Sequence, residues 1–156
     1  MPRRKKNKQL KALIQRVAAA SVSVDGRETG RIGRGLAVFI GVARGDAGED
    51  VDYLVRKIAG LRIFTDEADR FNLSVNDIKG GLLLVSQFTL LADTRKGKRP
   101  SFAGAAPPDE ARELFELFVR QARVTGLAVS TGVFGEHMQV EIHNDGPVTI
   151  MLDSRG

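Results

Sequence analysis

Gly35-Leu36-Ala37-Val38-Phe39-Ile40-Gly41-Val42 is apolar without interruption and bounded by glycines. A run of that length reads as a strand buried on both faces, because a strand with one wet face would alternate. The pattern then changes. Within Glu49–Gly60, Val51, Leu54, Val55 and Ile58 fall at i, i+3, i+4 and i+7, the stripe of a helix that packs on a sheet. A strand covered on both sides followed by a one-sided helix sets the class as α/β.

Outward from this centre the elements fall into place. Ala12–Val17 reads as a strand and Ser21–Val24 alternates at period two. Asp25-Gly26 then favours a two-residue turn, hence a hairpin into Thr29–Ile32. Downstream, Arg62-Ile63-Phe64 reads as a short strand before the acidic turn Asp66–Asp69, and Gly80-Gly81 introduces the apolar run Leu82–Leu91. A second helix spans Asp109–Thr125, preceded by Pro107 and Pro108, striped by Leu114, Phe115, Phe118 and Ala122, and stopped by Gly126. Three closing strands are predicted at Ala128–Thr131, Met138–His143 and Val148–Leu152. No repeat or linker divides the chain, so residues 10–156 read as one domain.

Composition narrows the chemistry. The 156 residues include no cysteine, which removes disulfide scaffolds, thiol nucleophiles and cysteine-ligated metal centres. No apolar run approaches the roughly 18–20 residues of a membrane span, and the basic start lacks the apolar stretch of a signal peptide. A cytoplasmic protein is the expectation. The net charge of +5 is local: Arg3, Arg4, Lys5, Lys6 and Lys8 supply it, and the 146 residues after the first ten carry 19 basic and 19 acidic side chains. Residues 1–9 read as a disordered basic extension or as an arm for phosphates. If Leu10 is encoded by TTG, translation starting there would leave the extension off the native chain, which a native mass would reveal.

Familiar nucleotide motifs fail. Gly30, Gly33 and Gly35 stand in the order G-x-x-G-x-G with no helix directly after them, and no Walker sequence exists. Asn72-Leu73-Ser74 matches a glycosylation sequon, which without secretion is expected to be a coincidence. His137 and His143 lie six apart, roughly 20 Å on a strand at ~3.3 Å per residue, too far to share a metal.

Two segments carry chemistry. In Leu82–Leu91, the polar Ser86, Gln87 and Thr89 interrupt an apolar run, and burying each without a partner would cost about 1–3 kcal/mol. They serve either an internal hydrogen-bond network or a ligand at a strand end. Asn144-Asp145-Gly146-Pro147-Val148-Thr149 is by composition a turn, yet a Gly-Pro bond is also among the few that can be cis at modest cost.

Together, Ser-Gln-Phe-Thr-Leu at 86–90 and Asn-Asp-Gly-Pro-Val-Thr at 144–149 resemble the signature pair of the D-aminoacyl-tRNA deacylases, formerly called D-tyrosyl-tRNA deacylases. Ala-Leu-Ile-Gln-Arg-Val at 12–17, Arg-Ile-Phe at 62–64 and Arg-Pro-Ser-Phe at 99–102 extend the likeness over Leu10–Leu152. Only the basic tail departs from the pattern. The resemblance implies a three-layer β/β/α sandwich of mixed sheets with two main helices, acting as a homodimer on aminoacyl-tRNA without metal or cofactor. It implies hydrolysis of the ester joining a D-amino acid to the terminal ribose, a chiral proofreading step in translation. Ser86, Gln87, Phe88 and Thr89 would line the pocket for the 3′-terminal adenosine and its ester. Gly146 and Pro147 would form a cis dipeptide inserted into the other subunit's pocket, steadied by Arg16.

Mechanistic expectations centre on Thr89 and its neighbours. Thr89 is a nucleophile candidate without a nearby base, so a positioning role with the substrate's 2′-hydroxyl assisting water is preferred. The N–H groups of Phe88 and Thr89 are the expected oxyanion donors. A main-chain carbonyl that excludes L side chains would pass glycine, making glycyl-tRNA a side substrate. Arg95, Lys96, Lys98 and Arg99 are either contacts to acceptor-stem phosphates or a solvated loop. Two other readings stay open. A serine esterase would use Ser86 with His137 or His143, although no G-x-S-x-G elbow exists, and would lose activity when both histidines are replaced. A non-catalytic tRNA-binding module would bind without ester turnover.

Overall fold

The computed structural model describes residues 9–155; most of the basic tail, residues 1–8, lies outside them. In chain order the elements are β1 (Lys11–Val24), β2 (Arg27–Ile32), β3 (Gly35–Gly41), α1 (Gly48–Gly60), β4 (Phe64–Thr65), β5 (Phe71–Leu73), β6 (Gly81–Ser86), α2 (Pro108–Val124), β7 (Ala128–Thr131) and β8 (Gln139–Asp153), with a 3-10 turn at Phe88–Leu91. Both helices and the β1–β2 hairpin stand where the sequence pattern puts them. Asp25 and Gly26 have φ of +51° and +78°, the two left-handed residues that a tight hairpin needs.

The sheet is mixed and runs β2-β1-β3-β6-β7, with β8 on the other edge of β1. β1 is one 14-residue strand where the pattern suggests two pieces, and its length serves three neighbours. It pairs antiparallel with β3 over residues 11–17, with β2 over 20–24, and with β8 along most of its length. β3, β6 and β7 are parallel to one another. Thr29 Oγ1 donates to the Thr131 carbonyl (3.4 Å) and Ser130 Oγ to the Arg31 carbonyl (3.1 Å), tying β2 to β7 and nearly closing the sheet. The two β layers are therefore one curled six-stranded sheet, and β4 and β5 form a separate two-stranded hairpin.

Period-two alternation divides the core. Leu36, Val38 and Ile40 of β3, with Leu82 and Leu84 of β6, face the helices beside Leu54, Ile58, Phe115 and Phe118. Ala37, Phe39, Leu83 and Val85 point into the curl, with Val17, Ala20 and Val22 of β1. Along β1, Ala12 and Ile14 face the helices, whereas Val17 and Ala20, three apart, share the inner face. A bulge at Ala18 explains the shift, since Val17 pairs with Asn144 and Ala19 with His143.

Three boundaries differ from the sequence reading. The short strand begins at Phe64 rather than Arg62, because the Ile63 carbonyl accepts a bond from Arg16 Nη1 (2.9 Å) instead of joining a ladder. The apolar run from Leu82 stops being a strand at Ser86, where β3 ends. The Gln87 N–H closes on the Ile40 carbonyl (2.7 Å), and the chain turns into Phe88–Leu91 over Gly41. Asn144–Thr149 is not a turn between two strands but an outward bulge within the single strand β8. Gln15 pairs with Thr149 and Val17 with Asn144, so Arg16 alone faces four residues, 145–148.

Candidate active site

Where β3 and β6 end side by side, the sheet stops supporting a flat surface and a cleft of about 670 Å³ opens, a size suited to a small-molecule group. One wall is the end of β6 and the turn after it, with Val85, Ser86, Gln87 and Phe88. Arg44, after β3, and Phe102, before α2, form a second side that meets the first at the Phe88–Phe102 contact. Residues 134–138, after β7, form the third side. Phe134 fastens that third side to α2, lying 6.0 Å from the Phe115 ring with the Arg112 guanidinium 4.9 Å above it.

Phe88 is 57% exposed although apolar, and its ring meets Phe102 edge-on at 4.9 Å. An exposed Phe88 ring backed by the half-buried Phe102 at the edge of the cleft offers a flat partner a place to stack. The Gln87 side-chain amide donates to Thr89 Oγ1, joining two of the three polar groups that interrupt the run. Thr89 itself is exposed and stands beside the cleft rather than in its wall. The turn's own hydrogen bonds begin with Leu90 N–H to the Gln87 carbonyl (3.2 Å) and continue with Ala92 N–H to the Thr89 carbonyl (3.1 Å). The N–H groups of Phe88 and Thr89 precede them and have no hydrogen-bond partner among the described residues, as the first donors of a helical turn often do not.

The second motif lies elsewhere. The Gly146–Pro147 peptide is cis, and Gly146 has a φ of +128°. Arg16, 9% exposed, donates from Nε to the Asp145 carbonyl (3.1 Å), sits 3.4 Å from the Asp145 carboxylate, and lies 5.6 Å from the centre of the Phe71 ring. Thr149 closes the base of the bulge, its hydroxyl oxygen accepting from Asn144 Nδ2 (2.9 Å) and Gln15 Nε2 (3.2 Å), while Val148 N–H donates to Asn144 Oδ1 (3.1 Å). Thr149 is thus a hub of the loop. The loop does not share the cleft. Arg16 is level with Leu36 and Leu82, four residues before Ile40 and Ser86, or roughly 13 Å along the strands.

The basic loop closes on itself through paired backbone bonds between Asp93 and Ser101 (2.8 and 2.9 Å). Arg95 is bound to the Asp93 carboxylate at 2.8 Å, which pulls that carboxyl down to about 2, so its charge is matched locally. Lys96, Lys98 and Arg99 are exposed and in no ion pair among the described residues. His137 lines the cleft and His143 lies in β8. Neither is hydrogen-bonded to Ser86, so the serine-esterase constellation is not assembled. Among the described residues no three metal-ligating side chains converge.

Sequence reading misses Arg44, Phe134 and Met138 as cleft residues, and offers His137 only as a base for Ser86 in the serine-esterase reading. A lone aromatic between Gly132 and Gly135 is the signal that could have found Phe134; nothing in Val42-Ala43-Arg44-Gly45 announces Arg44.

A family model described as D-Tyr-tRNA(Tyr) deacylase matches residues 13–153. The chain belongs to the D-aminoacyl-tRNA deacylase family. It is 60% identical over 146 residues to the D-aminoacyl-tRNA deacylase of Dehalococcoides mccartyi, spanning 94% of this chain and 95% of that one. The deacylase of Syntrophobacter fumaroxidans is 55% identical, over 94% of this chain and 98% of its own. Among solved structures, one named c-Myc DNA Unwinding Element Binding Protein superposes with a TM-score of 0.86 at 43% identity, covering 91% of this chain and 97% of that one. A probable eukaryotic D-amino acid tRNA deacylase, 20% identical with a TM-score of 0.81 over 93% and 99% of the two chains, shares the fold. As a deacylase the protein is a hydrolase.

Proposed function

We propose that the cleft receives the 3′-terminal adenosine of a D-aminoacyl-tRNA, and that Gly146 and Pro147 of a second copy complete it. The observation that carries this reading is the separation of the two motifs: a loop fixed by Arg16, Asn144 and Thr149 projects into solvent, roughly 13 Å along the strands from the cleft of its own chain. A device so firmly held has its use outside that chain. Ser86, Gln87 and Phe88 hold the nucleoside, with the base against the Phe88 and Phe102 rings. The free N–H groups of Phe88 and Thr89 receive the oxyanion. Thr89 orients Gln87, and water assisted by the substrate's 2′-hydroxyl attacks the ester.

Selection is by exclusion. One methylene changes hydrophobic binding by only about 1–3 kcal/mol, so an apolar pocket discriminates enantiomers weakly. A rigid backbone placed where an L side chain must go discriminates by collision, while D side chains of many kinds, and glycine, pass. Lys96, Lys98 and Arg99 meet acceptor-stem phosphates, Arg95 contributing less because Asp93 matches it. The reaction needs no cofactor and belongs beside translation, in the cytoplasm.

The test has two parts. D-tyrosyl-tRNA and L-tyrosyl-tRNA are incubated side by side with the full chain, and only the D ester should be cleaved; equal cleavage of both would remove chiral selection. A Phe88→Ala variant and a Pro147→Ala variant, each impaired alone, are then mixed. Recovery of activity in the mixed dimer is the expected result, and a monomer in solution or absence of recovery would overturn the shared site.

A further inference from the structure

The cleft wall is mostly apolar, yet one guanidinium stands in it. Arg44 follows β3, lines the cleft, and occurs in no ion pair among the described residues. The nearest acid in sequence, Asp46, is already engaged: its carboxylate accepts from the Ala43 N–H (2.6 Å) and the Gln9 N–H (2.8 Å). Glu136 also lines the cleft without pairing to Arg44. The cation is nevertheless held in place. Arg44 Nε donates to the Ala103 carbonyl (2.8 Å) and its backbone N–H to the Gly104 carbonyl (2.9 Å), which fixes it against the segment that continues the basic loop. With Nε committed, the terminal nitrogens keep their donors for a ligand, and a guanidinium suits the oxygens of a phosphate better than an ammonium does.

We infer that Arg44 binds the phosphodiester joining the last two nucleotides of the tRNA, at the point where the strand leaves the cleft toward Lys96, Lys98 and Arg99. The inference rests on the substrate proposed above and adds a specificity device to it. An ester on a bare nucleoside would lack the group that Arg44 recognises; the same ester on a strand would carry it.

The experiment compares three substrates: D-tyrosyl-adenosine, which has no phosphodiester, the D-tyrosyl ester of cytidylyl-(3′→5′)-adenosine, which has one, and D-tyrosyl-tRNA. For Arg44→Gln, the kcat/KM ratio of dinucleotide to nucleoside ester should fall roughly tenfold, the size of one charge-assisted hydrogen bond, with the loss in KM. The log–log salt dependence of KM on tRNA should become shallower by about 0.7, the value of one single-stranded phosphate. Arg44→Lys should recover part of the ratio. Equal losses on all three substrates, or no loss on any, would overturn the assignment while leaving the deacylase reading intact; a wild type inactive on all three overturns both.

Discussion

In the proposed mechanism the Thr89 hydroxyl positions Gln87 rather than attacking the ester. Its oxygen accepts from the Gln87 amide and no histidine reaches it. Thr89→Ala should therefore lower kcat by roughly five- to tenfold, the worth of one hydrogen bond of about 1 kcal/mol. Loss of a true nucleophile costs about 10⁴-fold or more; single-turnover hydrolysis separates the two. At Gly146 the constraint is geometric. A Cβ there would lie 3.0 Å from Arg16 Nη2 and from Val148 Cγ2, on a backbone with φ of +128° that other residues rarely adopt. Gly146→Ala should cost about 1–2 kcal/mol in urea unfolding and shift the loop, raising hydrolysis of the L ester relative to the D ester. Both residues were legible in the sequence as anomalies, a polar interruption and a Gly-Pro pair. Arg16 is tied to the loop only through the family resemblance; no local pattern reveals that it meets Asp145, 129 positions away, or that Gln15 meets Thr149, 134 positions away.

At the scale of elements, local chemistry and global pairing disagree in instructive places. Helices α1 and α2 and the Asp25-Gly26 hairpin follow from periodicity and turn residues, which act over a few positions. The end of β6 does not, since it depends on where β3 stops. Nor does the continuity of β8, which a reader of Asn-Asp-Gly-Pro would break in two; only the ladder with β1 keeps it whole. Close approach between strands is equally hidden. Gly35 opposes Gly81 across the parallel β3–β6 pair, and a Cβ on Gly35 would fall 2.0 Å from the Gly81 carbonyl oxygen and 2.7 Å from its nitrogen. Backbone atoms cannot rotate away as a side chain can. Gly35→Ala should therefore destabilise the fold by at least about 3 kcal/mol, or prevent soluble expression, as urea unfolding would show.

For the whole molecule, the start of β1 is fastened by a carboxylate. Asp46 accepts the Gln9 and Ala43 N–H groups, while the Leu10 carbonyl accepts the Ser154 N–H (2.9 Å), drawing both ends of the described chain together. Desolvation outweighs those bonds and raises the Asp46 carboxyl to about 6 from an ordinary value of 3.8. The folded state therefore binds this proton more tightly than the unfolded one, so the contribution of Asp46 to stability increases as pH falls from about 6 toward 4 and is lost again as pH rises through 6. Comparing urea midpoints at pH 5 and pH 7, Asp46→Asn should show a smaller gain at pH 5 than the wild type; an identical pH response would contradict the assignment. The bulge in β8 has a consequence on the same scale. Four residues stand opposite Arg16 where an unbroken ladder needs one, so three are surplus to the architecture. A chain shortened by three there would still have a complete strand for β1. The selectivity proposed for this loop would thus ride on an insert that the scaffold tolerates without requiring, so that discrimination could be gained, altered or lost in evolution while the protein that carries it goes on folding.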